Sequence, residues 1–71
     1  MSSVVNVNPN ILGGTPVFMG TRVPVESLFD HLKHNYSIDE FLEQFPSVRR
    51  EQVETLLDEA KALAMPQHAP T

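Results

Sequence analysis

One apolar spacing occurs three times in this chain, and it limits the fold more than any other feature. Val25, Leu28, Phe29 and Leu32 fall at i, i+3, i+4 and i+7. So do Ile38, Phe41, Leu42 and Phe45, and again Val53, Leu56, Leu57 and Ala60. At 3.6 residues per turn each set lines one face of a helix, so the stripes are read as core. The expectation is three amphipathic helices of about eleven, eight and fifteen residues joined by turns of a few residues. The last two, hinged at Phe45 to Arg49, have the proportions of a helix-turn-helix.

Start and stop signals agree with that reading. Pro24 suits the first position of helix one, where its missing N–H has no partner to lose. Lys33 and His34 fall in the last turn, where positive charge complements the helix dipole. Asn35 follows as a left-handed stop residue. Ser37 and Glu40 form an S-x-x-E capping box opening helix two, with Tyr36 and Phe41 placed as a hydrophobic staple. Pro46 ends that helix. Helix three is expected from near Arg50 to about Ala64, with Val48 stapled to Val53 if Arg49 is the cap.

The first third has a different character. Val4, Val5 and Val7 are strand formers before the turn signal Asn8-Pro9-Asn10, and Pro16-Val17-Phe18-Met19 reads as another short strand. Gly13-Gly14 and Gly20 mark permissive bends. Two or three short strands are expected there. The fold class is therefore mostly α: three helices behind a short β N-terminal arm or hairpin. Residues 1–65 form a single domain and 66–71, with two prolines and no apolar pattern, a flexible tail.

A chain of 71 residues without cysteine can carry neither a disulfide nor a cysteine metal site. Such small domains often gain stability from oligomerisation or a docked partner, so a homodimer or hetero-oligomer is expected. No apolar run approaches the roughly 18 residues that span a bilayer, and Met1 to Asn10 lack the marks of a signal peptide. A cytoplasmic protein with no membrane contact is expected. The net charge of −4 lies wholly in the second half. Arg22 and Lys33 balance Glu26 and Asp30, whereas Arg49, Arg50 and Lys61 face seven acidic residues. That excess disfavours nonspecific nucleic-acid binding and fits either a basic partner surface or a solvated face.

Catalysis finds no constellation here. His31 and His34 share a helical face at i, i+3, but nothing completes a metal site, and both read as surface histidines. No nucleophile stands beside a base, and the glycines do not form a phosphate loop. The chain is expected to be no enzyme and to need no metal or cofactor. Nucleic-acid recognition has more to work with. A helix-turn-helix offers the N-terminal end of its second helix to the major groove, and that end carries Arg49, Arg50 and Gln52. Glu51, Glu54, Asp58 and Glu59 on the same helix repel phosphates, so operator DNA contact needs a dimer or a basic partner.

From Ile11 to Ala60 the chain resembles a family of short prokaryotic proteins known as domain of unknown function 433. The resemblance rests on Gly14-Thr15-Pro16-Val17, then Gly20-Thr21-Arg22-Val23-Pro24-Val25, followed by Tyr36-Ser37-Ile38-Asp39-Glu40, Phe45-Pro46 and Val53. The Gly-Thr-Arg-Val-Pro-Val block is the specific part. Two positions depart: Asn35 stands where glycine is usual, and Arg49 where Ser or Thr usually caps helix three. The resemblance implies a homeodomain-like fold with a β arm. It also implies an antitoxin that neutralises a PIN-like, metal-dependent ribonuclease in a VapBC-type pair and helps repress its own operon. A stand-alone helix-turn-helix transcription regulator is the alternative.

On that basis the segment Val17, Phe18, Met19, Gly20, Thr21, Arg22 and Val23 is the expected partner contact. Extended strands offer backbone groups to a partner's sheet edge, and Arg22 suits a cluster of carboxylates such as the acidic metal ligands of a PIN-like active site. An internal salt bridge from Arg22 to Glu26, or a self-association edge, would instead make the segment structural.

Overall fold

The computed structural model describes residues 3–65. Strand β1 (Val5–Asn6) pairs antiparallel with β2 (Val17–Phe18), Val5 opposite Phe18 and Asn6 opposite Val17. Helices α1 (Val25–Lys33), α2 (Ile38–Gln44) and α3 (Arg50–Ala64) follow. The protein is thus mostly helical with an N-terminal hairpin, as its periodicity predicts; the expected tail, 66–71, lies outside the described residues.

A compact turn system joins the strands. Asn8 Oδ1 accepts from Asn10 N–H at 2.8 Å, and a short 3-10 turn at Leu12–Gly14 leads into β2. β2 is hydrogen-bonded on both sides. β1 flanks one edge, with Met19 N–H donating to Val4 O at 2.8 Å. On the other edge Phe18 N–H donates to Val23 O at 2.9 Å and Val25 N–H to Pro16 O at 3.0 Å, bridging Val17 to Pro24. The expectation that this strand offers free backbone groups to a partner is corrected here, because the returning Val23–Pro24 segment occupies that edge.

The three helix boundaries come from local chemistry. Pro24, expected at the first helical position, stands instead at the N-cap of α1, with extended backbone at φ −61° and ψ 137°. Asn35 ends α1 at φ +68°, the left-handed conformation asparagine tolerates. Tyr36 N–H donates to His31 O at 2.9 Å and Asn35 N–H to Leu32 O at 3.1 Å, the paired bonds of a Schellman stop. The Ser37–Glu40 capping box opens α2 as expected. α3 runs over the residues its apolar stripe predicts.

The stripes converge on one core. Phe18, Leu28, Phe41, Val48, Val53 and Leu56 are buried together, with Val23, Val25, Leu32, Ile38, Leu42, Phe45 and Leu57 packed against them. Val48 and Val53 thus fall in the same cluster from either side of the Arg49 cap, as a staple requires. Phe18 and Phe41 are in ring contact at 6.0 Å, tying the hairpin to α2. Burial of each such side chain contributes about 1.5–3 kcal/mol. Two expectations change. Phe29 lies at the rim, 37% exposed, because Val25, Leu28 and Leu32 already fill the inner face. Tyr36 meets His31 (5.2 Å) rather than Phe41 directly, and the half-buried His31 ring packs edge-on against Phe41 and Phe45. His31 is therefore part of the aromatic packing, not a surface histidine.

Candidate interaction site

The Gly20-Thr21-Arg22-Val23-Pro24-Val25 block makes a single turn system. Thr21 N–H donates to Phe18 O at 2.9 Å, and Gly20, the third residue of that turn, sits at φ +79°. A turn of this kind needs a positive φ at that place, which glycine supplies without steric cost. The Thr21 hydroxyl donates to Phe18 O at 2.9 Å and accepts from Val23 N–H at 3.0 Å. Pro24 keeps Val23 extended, so the chain returns beside β2 before α1 begins. Met19, Gly20 and Arg22 are left exposed at the tip.

The seven residues expected to touch a partner therefore divide. Val17 and Phe18 are fully buried and Val23 packs on the core, so their side chains hold the turn in place. Thr21 is half-buried and shapes the turn. Among the described residues Arg22 has no ion pair, and the expected bridge to Glu26 is not formed. The other two arginines are paired among the described residues: Arg49 lies 3.9 Å from Glu51, and Arg50 pairs with Asp39 across the starts of α3 and α2.

The residues expected to read DNA are placed at the start of α3, but they are not equally available. Arg49 is the N-cap and is exposed, yet its side chain makes no cap bond, since a guanidinium has no acceptor. Arg50 is held by Asp39. Gln52 uses both ends of its amide internally: Oε1 accepts from Arg49 N–H at 2.9 Å, and Nε2 donates to Met19 O at 3.0 Å. Pairing with adenine requires both the carbonyl and the amino group of that amide. Glu51, Glu54 and Asp58 are exposed along the same helix, opposing phosphate.

The Gln52 bond brings the two expected sites together. An open groove of about 490 Å³ has Met19 and Gly20 on one wall and Arg49, Glu51 and Gln52 on the other. The turn and the helix end, expected as two separate sites, are adjacent in the fold. The histidines belong elsewhere. His31 Nδ1 and His34 Nδ1 donate to the carbonyls of Ser27 (2.8 Å) and Asp30 (2.7 Å) one turn back.

The site thus combines a hydrogen-bonded turn that carries Arg22 with an open groove beside the start of α3. The family model described as "Protein of unknown function (DUF433)" matches residues 5–60, and the chain belongs to that family. It is also similar to the "Uncharacterized protein y4eO" of Sinorhizobium fredii (strain NBRC 101917 / NGR234), 42% identical over 50 residues. That match covers 70% of this chain and 23% of the relative, so the chain spans about a quarter of the length of the curated relative it matches. No solved structure matches. No helix among the described residues is long and apolar enough to cross a membrane.

Proposed function

We propose that the chain is the antitoxin half of a type II toxin–antitoxin pair and acts in the cytoplasm, where it binds and neutralises a PIN-like ribonuclease. The observation that carries this reading is Arg22, an exposed guanidinium without an ion pair among the described residues, held on a turn whose backbone is fixed by hydrogen bonds. A rigid, unpaired arginine suits bidentate pairing with the carboxylates that hold a nuclease's metal ions. Such a pair needs no loop ordering on binding, which lowers the cost of association. The surface carries the role; the chain itself performs no chemistry.

Operator repression belongs to the complex rather than to the lone subunit. Arg50 and Gln52 are engaged internally and the exposed face of α3 is acidic, so a toxin must supply the positive charge that phosphates require. A homodimer, or a hetero-oligomer with the toxin, doubles the recognition ends. The test is co-expression with the ribonuclease-like product of the neighbouring reading frame. The wild-type chain restores growth, and Arg22→Ala weakens the rescue while the variant stays folded by circular dichroism. Full rescue by folded Arg22→Ala removes Arg22 from the mechanism, and failure of the wild-type chain to bind that product removes the antitoxin role. Tight operator binding by the isolated chain near physiological salt would favour the stand-alone helix-turn-helix regulator instead.

A further inference from the structure

The turn that carries Arg22 is fixed in shape by its own bonds, from Thr21 to Phe18 and from Val23 to the Thr21 hydroxyl. Its place on the body is set by Phe18 and Val23 in the core and by two hydrogen bonds of Met19. Met19 N–H ties it to β1 through Val4 O, and Met19 O accepts from Gln52 Nε2 on α3. The second contact reaches across 33 residues of sequence from one half-buried amide. A donor is required at that spot, since Met19 presents a carbonyl. An acceptor is required at the other end of the same side chain, since Arg49 presents an N–H. Glutamine meets both demands; glutamate meets only the second.

We propose that Gln52 is a positioning residue for Arg22: it latches the Phe18–Val23 turn to the start of α3, so the guanidinium is offered to a partner from a set point beside the groove. This deepens the antitoxin reading and rests on it for the identity of the partner. It also reassigns Gln52, which the sequence places among base-reading residues. With the latch closed, both hydrogen-bonding ends of its amide are in use, so Gln52 acts on the partner through Met19 and the turn.

The test uses the full chain with Gln52→Glu, which keeps the acceptor for Arg49 and loses the donor to Met19, and Gln52→Met, which adds no charge and loses both bonds. Hydrogen exchange in the free protein is read at the amide of Met19, which ties the turn to β1, with Leu56 in the core of α3 as reference. In both variants Met19 exchanges about five-fold faster, the effect of losing one net hydrogen bond beside it, while Leu56 is unchanged. An unchanged Met19, a uniform acceleration that includes Leu56, or an effect confined to the charged variant would each overturn the latch. Affinity for the ribonuclease-like product of the neighbouring frame falls by a similar factor, and Gln52→Met costs nothing further in an Arg22→Ala background. An equal cost in both backgrounds would mean that Gln52 touches the partner itself, and would overturn the positioning role. If the wild-type chain does not bind that product, the antitoxin reading fails, and the exchange rates alone still decide the latch.

Discussion

At the start of α2, Ser37 and Glu40 close on each other: Ser37 N–H donates to Glu40 Oε1 at 2.7 Å, and Ser37 Oγ accepts from Glu40 N–H at 3.0 Å. At the start of α3 the same two places hold Arg49 and Gln52, and only half the box forms. Arginine has no acceptor to return, and the amide of glutamine has a donor left over. That donor reaches Met19 O. A local cap has been exchanged for a tertiary link. The first arrangement stabilises one helix; the second ties a helix to a turn that presents an exposed arginine. The end that gives up local closure is the end that borders the groove.

The largest effect that can test this comparison comes from the core beneath both ends. Phe18 anchors the turn and Phe41 the first turns of α2, and their rings touch. Replacing either with alanine is expected to cost about 3–5 kcal/mol. That is a large share of the stability of a domain this small. Urea denaturation of Phe18→Ala and Phe41→Ala checks it, with similar falls in midpoint expected. A much smaller fall for Phe18→Ala would mean that the turn hangs on the hydrogen bonds alone and that the two ends do not share one core.

What the sequence made legible, and what it did not, follows the same division. The Ser37–Glu40 box, the left-handed Asn35 and the span of α3 depend on residues within one helical turn of each other. Spacing and side-chain type suffice to read them. The pairing of β2 with Val23–Pro24, the rim position of Phe29 and the His31 ring among Tyr36, Phe41 and Phe45 depend on how elements meet. Periodicity carries no information about that. The Gly-Thr-Arg-Val-Pro-Val block was visible as a motif, but its cause is the positive φ of Gly20 and the double bonding of Thr21, seen only in three dimensions. The Met19–Gln52 bond left one faint signal: a capping-box glutamine after a cap that has no acceptor to offer.

Breaking the complete box should cost more than altering the incomplete one. Ser37→Ala removes a working cap and is expected to destabilise by about 0.5–2 kcal/mol, measured from the thermal midpoint. Arg49→Ser tests the converse. The backbone of Arg49 is already extended, at φ −97° and ψ 149°, as an N-cap requires. A hydroxyl there can accept from Gln52 N–H while the amide side chain stays on Met19. The expected gain is about 0.5–1 kcal/mol, or a rise of several degrees in midpoint for a domain of this size. No rise would mean that the helix start is held by the tertiary link in a geometry that a hydroxyl cannot use, and the contrast between the two ends would then be one of shape rather than of missing chemistry.

The smallest effect concerns the ion pair that joins the two ends. Asp39 and Arg50 stand in the first turns of α2 and α3, with side chains 78% and 50% exposed. An exposed pair contributes about 0.2–1 kcal/mol and is screened by salt. The helix dipoles make its partners unequal. Asp39 is an acid at a positive helix end, so Asp39→Asn removes both the pair and a favourable dipole interaction. Arg50 is a cation at a positive helix end, so Arg50→Gln removes the pair but relieves an unfavourable interaction of about 0.3–1 kcal/mol. The two terms oppose, and Arg50→Gln is expected to leave stability within about 0.5 kcal/mol of wild type. Asp39→Asn should fall below it at low salt, with the gap narrowing as salt rises. Equal losses from the two substitutions would show that the pair, rather than the dipoles, sets the energetics. The near-neutral result for Arg50→Gln would make that variant a clean probe of the operator binding proposed for a complex with a toxin: with the fold intact, weaker binding there would place the Arg50 guanidinium at the DNA.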